Sequence, residues 1–314
     1  TLAIGAHRND GNGNQSGHAR VFAWDGANWN QLGGDIDGEA AGDWFGHSVS
    51  LSSDGSTVAI GAPQDINWGA EFTGYVRVYA WSGGSWVQQG GNIDGEAAGD
   101  RSGFSVSLSS DGSIVAIGAP FNDTDLGGAT GHARIYSWDG ASWNQQGDDI
   151  DGEADFNFSG SSVSLSSDGS TVAISALYND GNGEYSGHVR LYAWEGFSWN
   201  QLGADIDGEA EWDNASSVSL SSDGSIVAIG ATGNDGNGGE AGHVRIYAWE
   251  GDSWNQFGAD IDGEAAGDAS GRSVSLSSNG GIVAIGAEYS GDNGTNSGHA
   301  RVYSFNLCIE GCTD

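Results

Sequence analysis

The feature that most constrains this chain is a repeat. The segment Thr57-Val58-Ala59-Ile60-Gly61-Ala62 recurs with small variations, beginning at Thr1, Ile114, Thr171, Ile226 and Ile282, so that successive copies start 56, 57, 57, 55 and 56 residues apart. Three further segments keep step with it. Val76-Arg77-Val78-Tyr79-Ala80-Trp81 occurs six times, the last copy ending Tyr303-Ser304-Phe305; Ser85-Trp86-Val87-Gln88-Gln89-Gly90 and Ser48-Val49-Ser50-Leu51-Ser52 occur five times each. All four read as strands. Val49 and Leu51 alternate with Ser48, Ser50 and Ser52, the period-two pattern of a pleated strand. In Val76 to Trp81 a small set (Val76, Val78, Ala80) lies opposite a large set (Arg77, Tyr79, Trp81), so both faces can pack, large against a neighbour's small. Ser53-Asp54-Gly55 and Asp25-Gly26 supply the turns. Four short antiparallel strands in about 56 residues describe a propeller blade. Like repeats bury their faces only against each other, and a ring leaves fewer open edges than a stack. The expectation is an all-β fold, a β-propeller of four-stranded antiparallel blades over residues 1–306, with six repeats visible in a six- or seven-bladed ring. The first repeat lacks its Ser-Val-Ser-Leu-Ser strand and the last its Trp-Asn-Gln strand. Either two blades at the seam have three strands, or, as we expect, the chain is part of a longer one. Residues 307–314, with Cys308 and Cys312, then begin a linker or further domain; the two cysteines can join in a short disulfide or each pair elsewhere.

Composition narrows the partners. With 43 acids against 9 bases, all Arg, the formal charge is −34, which argues against nucleic acid, whose phosphates need a basic surface. The same repulsion disfavours anionic membranes, and no apolar run approaches the roughly 20 residues of a spanning helix. Hydrophobic residues make up only 37%, but 13 Trp, 10 Phe and 9 Tyr exceed what a disordered chain carries. The chain has no Met, again as expected of a processed or partial chain.

Phe45-Gly46 followed by Gly61-Ala62-Pro63 resembles the signature of the FG-GAP repeat, and Gly103-Phe104 with Gly118-Ala119-Pro120 is similar with Phe and Gly reordered. Ser175-Ala176-Leu177 and Gly230-Ala231-Thr232 drift from it. The unit resembles the FG-GAP-type repeats of bacterial secreted and surface proteins, and distantly the integrin α-subunit propeller. The resemblance implies a propeller, usually seven-bladed, acting in adhesion or ligand binding at the cell surface rather than in catalysis. Cation-binding members carry an Asp-rich loop between the first two strands. Here Ser52 to Ser56 offers one carboxylate, too few for calcium.

A different loop carries the carboxylates. Asp35, Asp37, Glu39 and Asp43 fall at relative positions 1, 3, 5 and 9, as do Asp205, Asp207, Glu209, Asp213 and Asp260, Asp262, Glu264, Asp268. Variants are Asn92, Asp94, Glu96, Asp100 and Asp149, Asp151, Glu153, Asp155. Alternate acids on a tight turn can converge on calcium, which takes six to eight oxygens. They can equally be turn formers on a solvated surface. Asn9-Asp10-Gly11-Asn12-Gly13 and its copies at Asn179 and Asn234 offer a single Asp each, and read first as glycine-rich connections.

Gly-His-x-Arg recurs with His18, His132, His188, His243 and His299, and Tyr75 takes the place in the remaining copy. Symmetry spreads these around a ring, whereas catalysis needs unlike groups at one point; packing, with the Arg on an acid of its own or the next blade, is expected. The pairs Trp24/Trp29, Trp81/Trp86, Trp138/Trp143, Trp194/Trp199 and Trp249/Trp254 flank four-residue turns, placing two rings across a hairpin. Trp44, Trp68 and Trp212 lack equivalents in most repeats, and so are candidates for a ligand surface. No nucleophile elbow, phosphate loop or zinc-cysteine pattern is present. The expected function is a non-enzymatic extracellular binding, adhesion or structural module for a protein or glycan, with a lectin using exposed Trp as the alternative, a polysaccharide-active enzyme behind both, and structural calcium as the one cofactor.

Overall fold

The computed structural model describes residues 1–64, 72–123, 128–291 and 294–305. Six antiparallel sheets stand in a ring as propeller blades, and the described residues contain no helix. The second blade is typical. Ser48–Leu51, Thr57–Ala62, Tyr75–Ser82 and Ser85–Gln88 pair in sequence order, Val49 opposite Ile60, Ile60 opposite Arg77 and Trp81 opposite Trp86. A detail absent from the four-strand expectation is a two-residue strand, Ile93–Asp94, which pairs with the other half of the third strand, Val76 opposite Ile93. It seats the carboxylate loop beside Tyr75, the position that is His in the Gly-His-x-Arg segments of the other blades. Among the described residues the first blade lacks the innermost strand and the last has three strands.

The blades pack small face on large face. Ala59, Val76 and Val78 of the second blade meet Val115, Ile117 and Tyr136 of the third. First strands of successive blades lie against each other and so nearest the axis. The serines of these strands serve there as hydrogen-bonding groups. Ser50 Oγ accepts from Leu108 N at 2.9 Å, and Ser48 Oγ donates to Gly103 O at 2.8 Å. The same pairs recur as Ser107 with Leu165 and Ser105 with Gly160. Gly118 is glycine because the next blade's Gly160 carbonyl and Ser105 Oγ occupy the space of a Cβ. Where this position is Ser175, its own opening strand shifts register between Ser159 and Ser162, and the next blade's opening strand between Ala215 and Ser217.

The flanks of the first and last blades are uncovered. Leu2 and Ile4 are exposed, whereas their counterparts Val58 and Ile60 are fully buried; Val302 is 69% exposed, whereas its counterpart Ile246 is buried. Among the described residues no helix is long and apolar enough to cross a membrane.

Candidate functional site

The carboxylate loops lie at the joints between blades, and each position in them has its own task. The last acid caps its own loop: Asp43 Oδ2 accepts from Glu39 N (3.0 Å), Ala40 N (2.8 Å) and the Tyr75 hydroxyl (2.9 Å). Asp100, Asp213 and Asp268 cap in the same way through Ala97, Ala210 and Ala265. In the looser copy the cap is Asn157, through Ala154 N, rather than Asp155. The first acid is held by the Gln of the fourth strand: Gln145 to Asp149, Gln201 to Asp205 and Gln256 to Asp260, each 2.6 Å. Asp35 also takes a bidentate bond from Arg20 (2.8 and 2.6 Å), which lowers its pKa to about 2, Arg20 contributing most and Gln31 next.

The Glu at position five leaves its own blade. Glu39 pairs with Arg77, Glu96 with Arg134 (3.5 Å), Glu153 with Arg190 (3.6 Å), Glu209 with Arg245 (3.7 Å) and Glu264 with Arg301. Each Arg is thus met by an acid of the preceding blade. Arg134, Arg190 and Arg245 also donate to the carbonyls of Asp94, Asp151 and Asp207, the middle acids of the preceding loops; Asp37 and Asp262 are the middle acids of the other two loops, in Ile36–Asp37 and Ile261–Asp262.

This arrangement regroups the predicted ligands. Glu96, His132 and Asp149 bring one ligand atom each within 4.8 Å of one another, as do Glu153, His188, Asp205 and Glu209, His243, Asp260. Each group joins the Glu of one loop to the first Asp of the next across a buried His. In the first blade His18 meets Asp35 and Asp37 of its own loop. Each of these groups supplies two carboxylates and one imidazole, whereas calcium takes six to eight oxygens. In the shorter loop between first and second strands, Asp54 accepts from Ser52 Oγ and Ser56 N, as a turn former does. Asp10 is likewise occupied by Gln15 N.

The Trp pairs oppose each other across their hairpins, with ring centroids 5.2 to 5.5 Å apart. The second Trp also clasps the preceding blade: Trp86 Nε1 donates to Leu32 O (2.9 Å), Trp143 to Gln89 O (3.1 Å), Trp199 to Gln146 O (2.7 Å) and Trp254 to Leu202 O (2.8 Å).

The second region is the mouth of the ring, where the first strands begin. A cavity of about 590 Å³ opens there, walled by Phe104, Phe121, Phe158 and Tyr178, with His47 and Arg272 at its edges. The walls belong to an unbroken arc of ring contacts. It runs from Trp44 through His47, Phe104, Phe121, Phe158, Tyr178 and Tyr185 to Trp212, with centroids 4.7 to 6.5 Å apart. Arg101 stacks on Phe121 at 4.0 Å. His47 is held neutral, its pKa lowered to about 4, by burial first and then by His7, Arg101 and Arg8.

Much of this arc is carried on left-handed backbone. Trp44, Arg101, Phe158, Asn214 and Ala269 occupy one repeat position with φ between 51° and 56°. Gln15, Ala129, Tyr185 and Glu240 occupy the adjoining loop, also at positive φ, and the two loops are tied by bonds such as Phe158 N to Ala129 O (3.2 Å). Trp212 and Phe156 stand where other repeats have Gly42, Gly99 and Gly267, again at positive φ. Non-glycine residues there are strained.

Of the predicted ligand residues, Trp44 and Trp212 both lie in the arc; Trp44 is half-buried with Nε1 on Gln15 Oε1 (2.9 Å), and Trp212 is exposed. Trp68, Cys308, Cys312 and the tail 307–314 lie outside the described residues. Sequence reasoning missed Phe104, Phe121, Phe158, Tyr178 and Tyr185. The available signal was variation within the repeat: Phe121 and Tyr178 directly follow the Gly-Ala-Pro-type segment, where three other copies have Arg8, Gln64 and Gly233 and the last has Tyr289.

Comparison with solved structures finds the same ring elsewhere. A periplasmic gluconolactonase of Pseudomonas aeruginosa superposes with a TM-score of 0.60 at 15% identity, over 90% of this chain and 74% of that one. TolB from Acinetobacter baumannii gives 0.56 at 14%, over 96% of this chain and 60% of that one, and hydrazine synthase of Kuenenia stuttgartiensis 0.58 at 14%, over 92% and 78%. At such identities the likeness is one of fold. It corrects the expectation that this kind of ring is not an enzyme, because a lactonase is built on the same frame. A search by sequence among curated proteins found no match. The FG-GAP repeat family matches residues 36–76 and 254–303, and with the six blades built alike the chain is a propeller of FG-GAP-type repeats.

Proposed function

We propose that this chain is a recognition module of an exported, surface-displayed protein, and that its ligand, a neutral saccharide unit of a glycan, docks in the aromatic mouth of the ring. The observation that carries the reading is the arc from Trp44 to Trp212 around a cavity of about 590 Å³. That volume falls within the range of small-ligand sites, about 300–1,000 Å³. Aromatic faces offer a sugar ring its apolar side. Ser161, Ser162, Ser216, Ser217 and Arg272 line the same cavity and supply hydroxyl and guanidinium partners. A formal charge of −34 repels an anionic ligand. Rigid joints and a variable mouth suit a frame that holds recognition groups in place.

Calorimetric titration with a panel of neutral oligosaccharides tests this. The expected result is saturable binding that weakens at least about tenfold, roughly 1.4 kcal/mol, in Phe121→Ala and Phe158→Ala, and is unchanged in Trp24→Ala on the exposed flank. Absence of saccharide binding at millimolar concentration overturns it. The shared fold with a gluconolactonase makes gluconolactone the second probe: its hydrolysis, lost in the same two variants, would make this mouth a catalytic site.

A further inference from the structure

We propose that the triads centred on His132, His188 and His243 each bind one divalent transition-metal ion of the zinc class, which staples adjacent blades. In the middle joint, His188 is 1% exposed and neither ring nitrogen has a hydrogen-bond partner. Its Nδ1 faces Asp205 Oδ2 at 3.6 Å and Glu153 Oε2 at 3.9 Å. These separations are too long for hydrogen bonds. They approach the roughly 3.4 Å between ligand atoms of a tetrahedral ion with bonds near 2.1 Å.

Each ligand is oriented from behind. Gln201 holds Asp205 by Oδ1, leaving Oδ2 for the ion, and Arg190 lies in ion-pair range of Glu153 Oε1 at 3.6 Å, leaving Oε2. One nitrogen and two carboxylates suit zinc-class ions better than calcium. Glu153 is 45% exposed on its side chain, which gives the ion a way in and a fourth position for water. In the neighbouring triads His132 Nδ1 lies 3.7 Å from Asp149 Oδ2 and His243 Nδ1 3.7 Å from Glu209 Oε2, and the buried Nε2 of each is without a hydrogen-bond partner.

Two joints serve as internal controls. Between the first and second blades the His is replaced by Tyr75, whose hydroxyl donates to Asp43. Between the fifth and sixth, Glu264 is on Arg301, and no Asp completes a triad among the described residues. In the first blade Asp35 has both oxygens on Arg20.

The test uses the tag-free chain, stripped with chelator, and Zn²⁺ alone as probe. Calorimetry should count three ions. Glu153→Gln, a change at an exposed side chain, should leave two, and Glu96→Gln/Glu153→Gln/Glu209→Gln together should leave none, with unchanged circular dichroism. Co²⁺ should give visible absorption that the triple variant lacks and that excess Ca²⁺ does not displace, and Zn²⁺ should raise the thermal midpoint. No binding at micromolar metal, binding unaltered in the triple variant, or displacement by Ca²⁺ would each overturn the proposal. None of these readouts depends on the saccharide reading of the mouth.

Discussion

The joints and the mouth use one repeated backbone in opposite ways. At the joints the side chains repeat: a Trp clasps the preceding blade, a Gln holds an Asp, and an Arg meets a Glu in copy after copy. At the mouth the backbone repeats while the side chains differ. One left-handed position carries Trp44, Arg101, Phe158, Asn214 and Ala269 within five degrees of φ. Repetition therefore marks what packs, and variation on a fixed frame marks what is presented. The two regions also differ in backbone, since the mouth holds strained residues in left-handed conformations.

The largest expected effect separates them at once. Gly118→Val at a joint drives a side chain into the Gly160 carbonyl of the next blade. Backbone cannot move aside cheaply, so the loss should reach about 3 kcal/mol or more in urea denaturation. An effect below about 1 kcal/mol would mean the blades slide freely and the joint is not the rigid part.

Acid should weaken the mouth next. His47 has a pKa of about 4 in the fold against an ordinary 6.5. Because the folded value is depressed, the unfolded chain binds the proton first, and stability present above pH 6.5 falls as pH drops toward 4. The contribution is at most about 3 kcal/mol. His47→Phe should flatten part of the slope measured between pH 7 and 4.5, and His132 and His188, also held neutral near 4 by burial, should keep the rest. Identical slopes in the two proteins would show that His47 titrates normally.

The same contrast explains what the sequence disclosed. Blade, strand order and face pairing were legible because period-two alternation and a repeat of about 56 residues leave few alternatives. The cap at Asp43 and the Arg-to-acid pairing were partly legible from residue type. The His-centred triads were not, because Glu153 and Asp205 lie in different loops and meet only across a joint. Reading each loop alone groups Asp205 with Glu209, whereas the fold sends Glu209 on to His243. The aromatic arc was hidden for the converse reason. Attention to Trp passed over Phe121 and Tyr178, which are ordinary residues until the ring sets them side by side.

A smaller effect compares a joint with the uncovered flank. Trp199 donates to Gln146 O of the preceding blade, whereas its counterpart Trp29 is 50% exposed on the first blade. Replacing Nε1–H while keeping an aromatic ring should cost about 1 kcal/mol in Trp199→Phe, which leaves a carbonyl without its donor, and under about 0.5 kcal/mol in Trp29→Phe. Equal losses would mean that the clasp adds nothing to ring packing.

The smallest effect has the opposite sign. Phe156 is 60% exposed at φ 61°, in the place where three other repeats have glycine. A left-handed conformation costs a non-glycine residue roughly 1–2 kcal/mol, and glycine gives back about 0.5–1 kcal/mol in chain entropy. Phe156→Gly should therefore stabilise the fold by about 0.5–1 kcal/mol in urea denaturation. Gly267, already glycine at the equivalent position with φ 82°, is the reference: Gly267→Phe should lose a similar amount. A stabilised Phe156→Gly that binds saccharide less well would place Phe156 among the presented groups, its strain kept for what the side chain contacts. A destabilised one would move Phe156 to the side of the joints, as a packing residue whose ring outweighs its backbone.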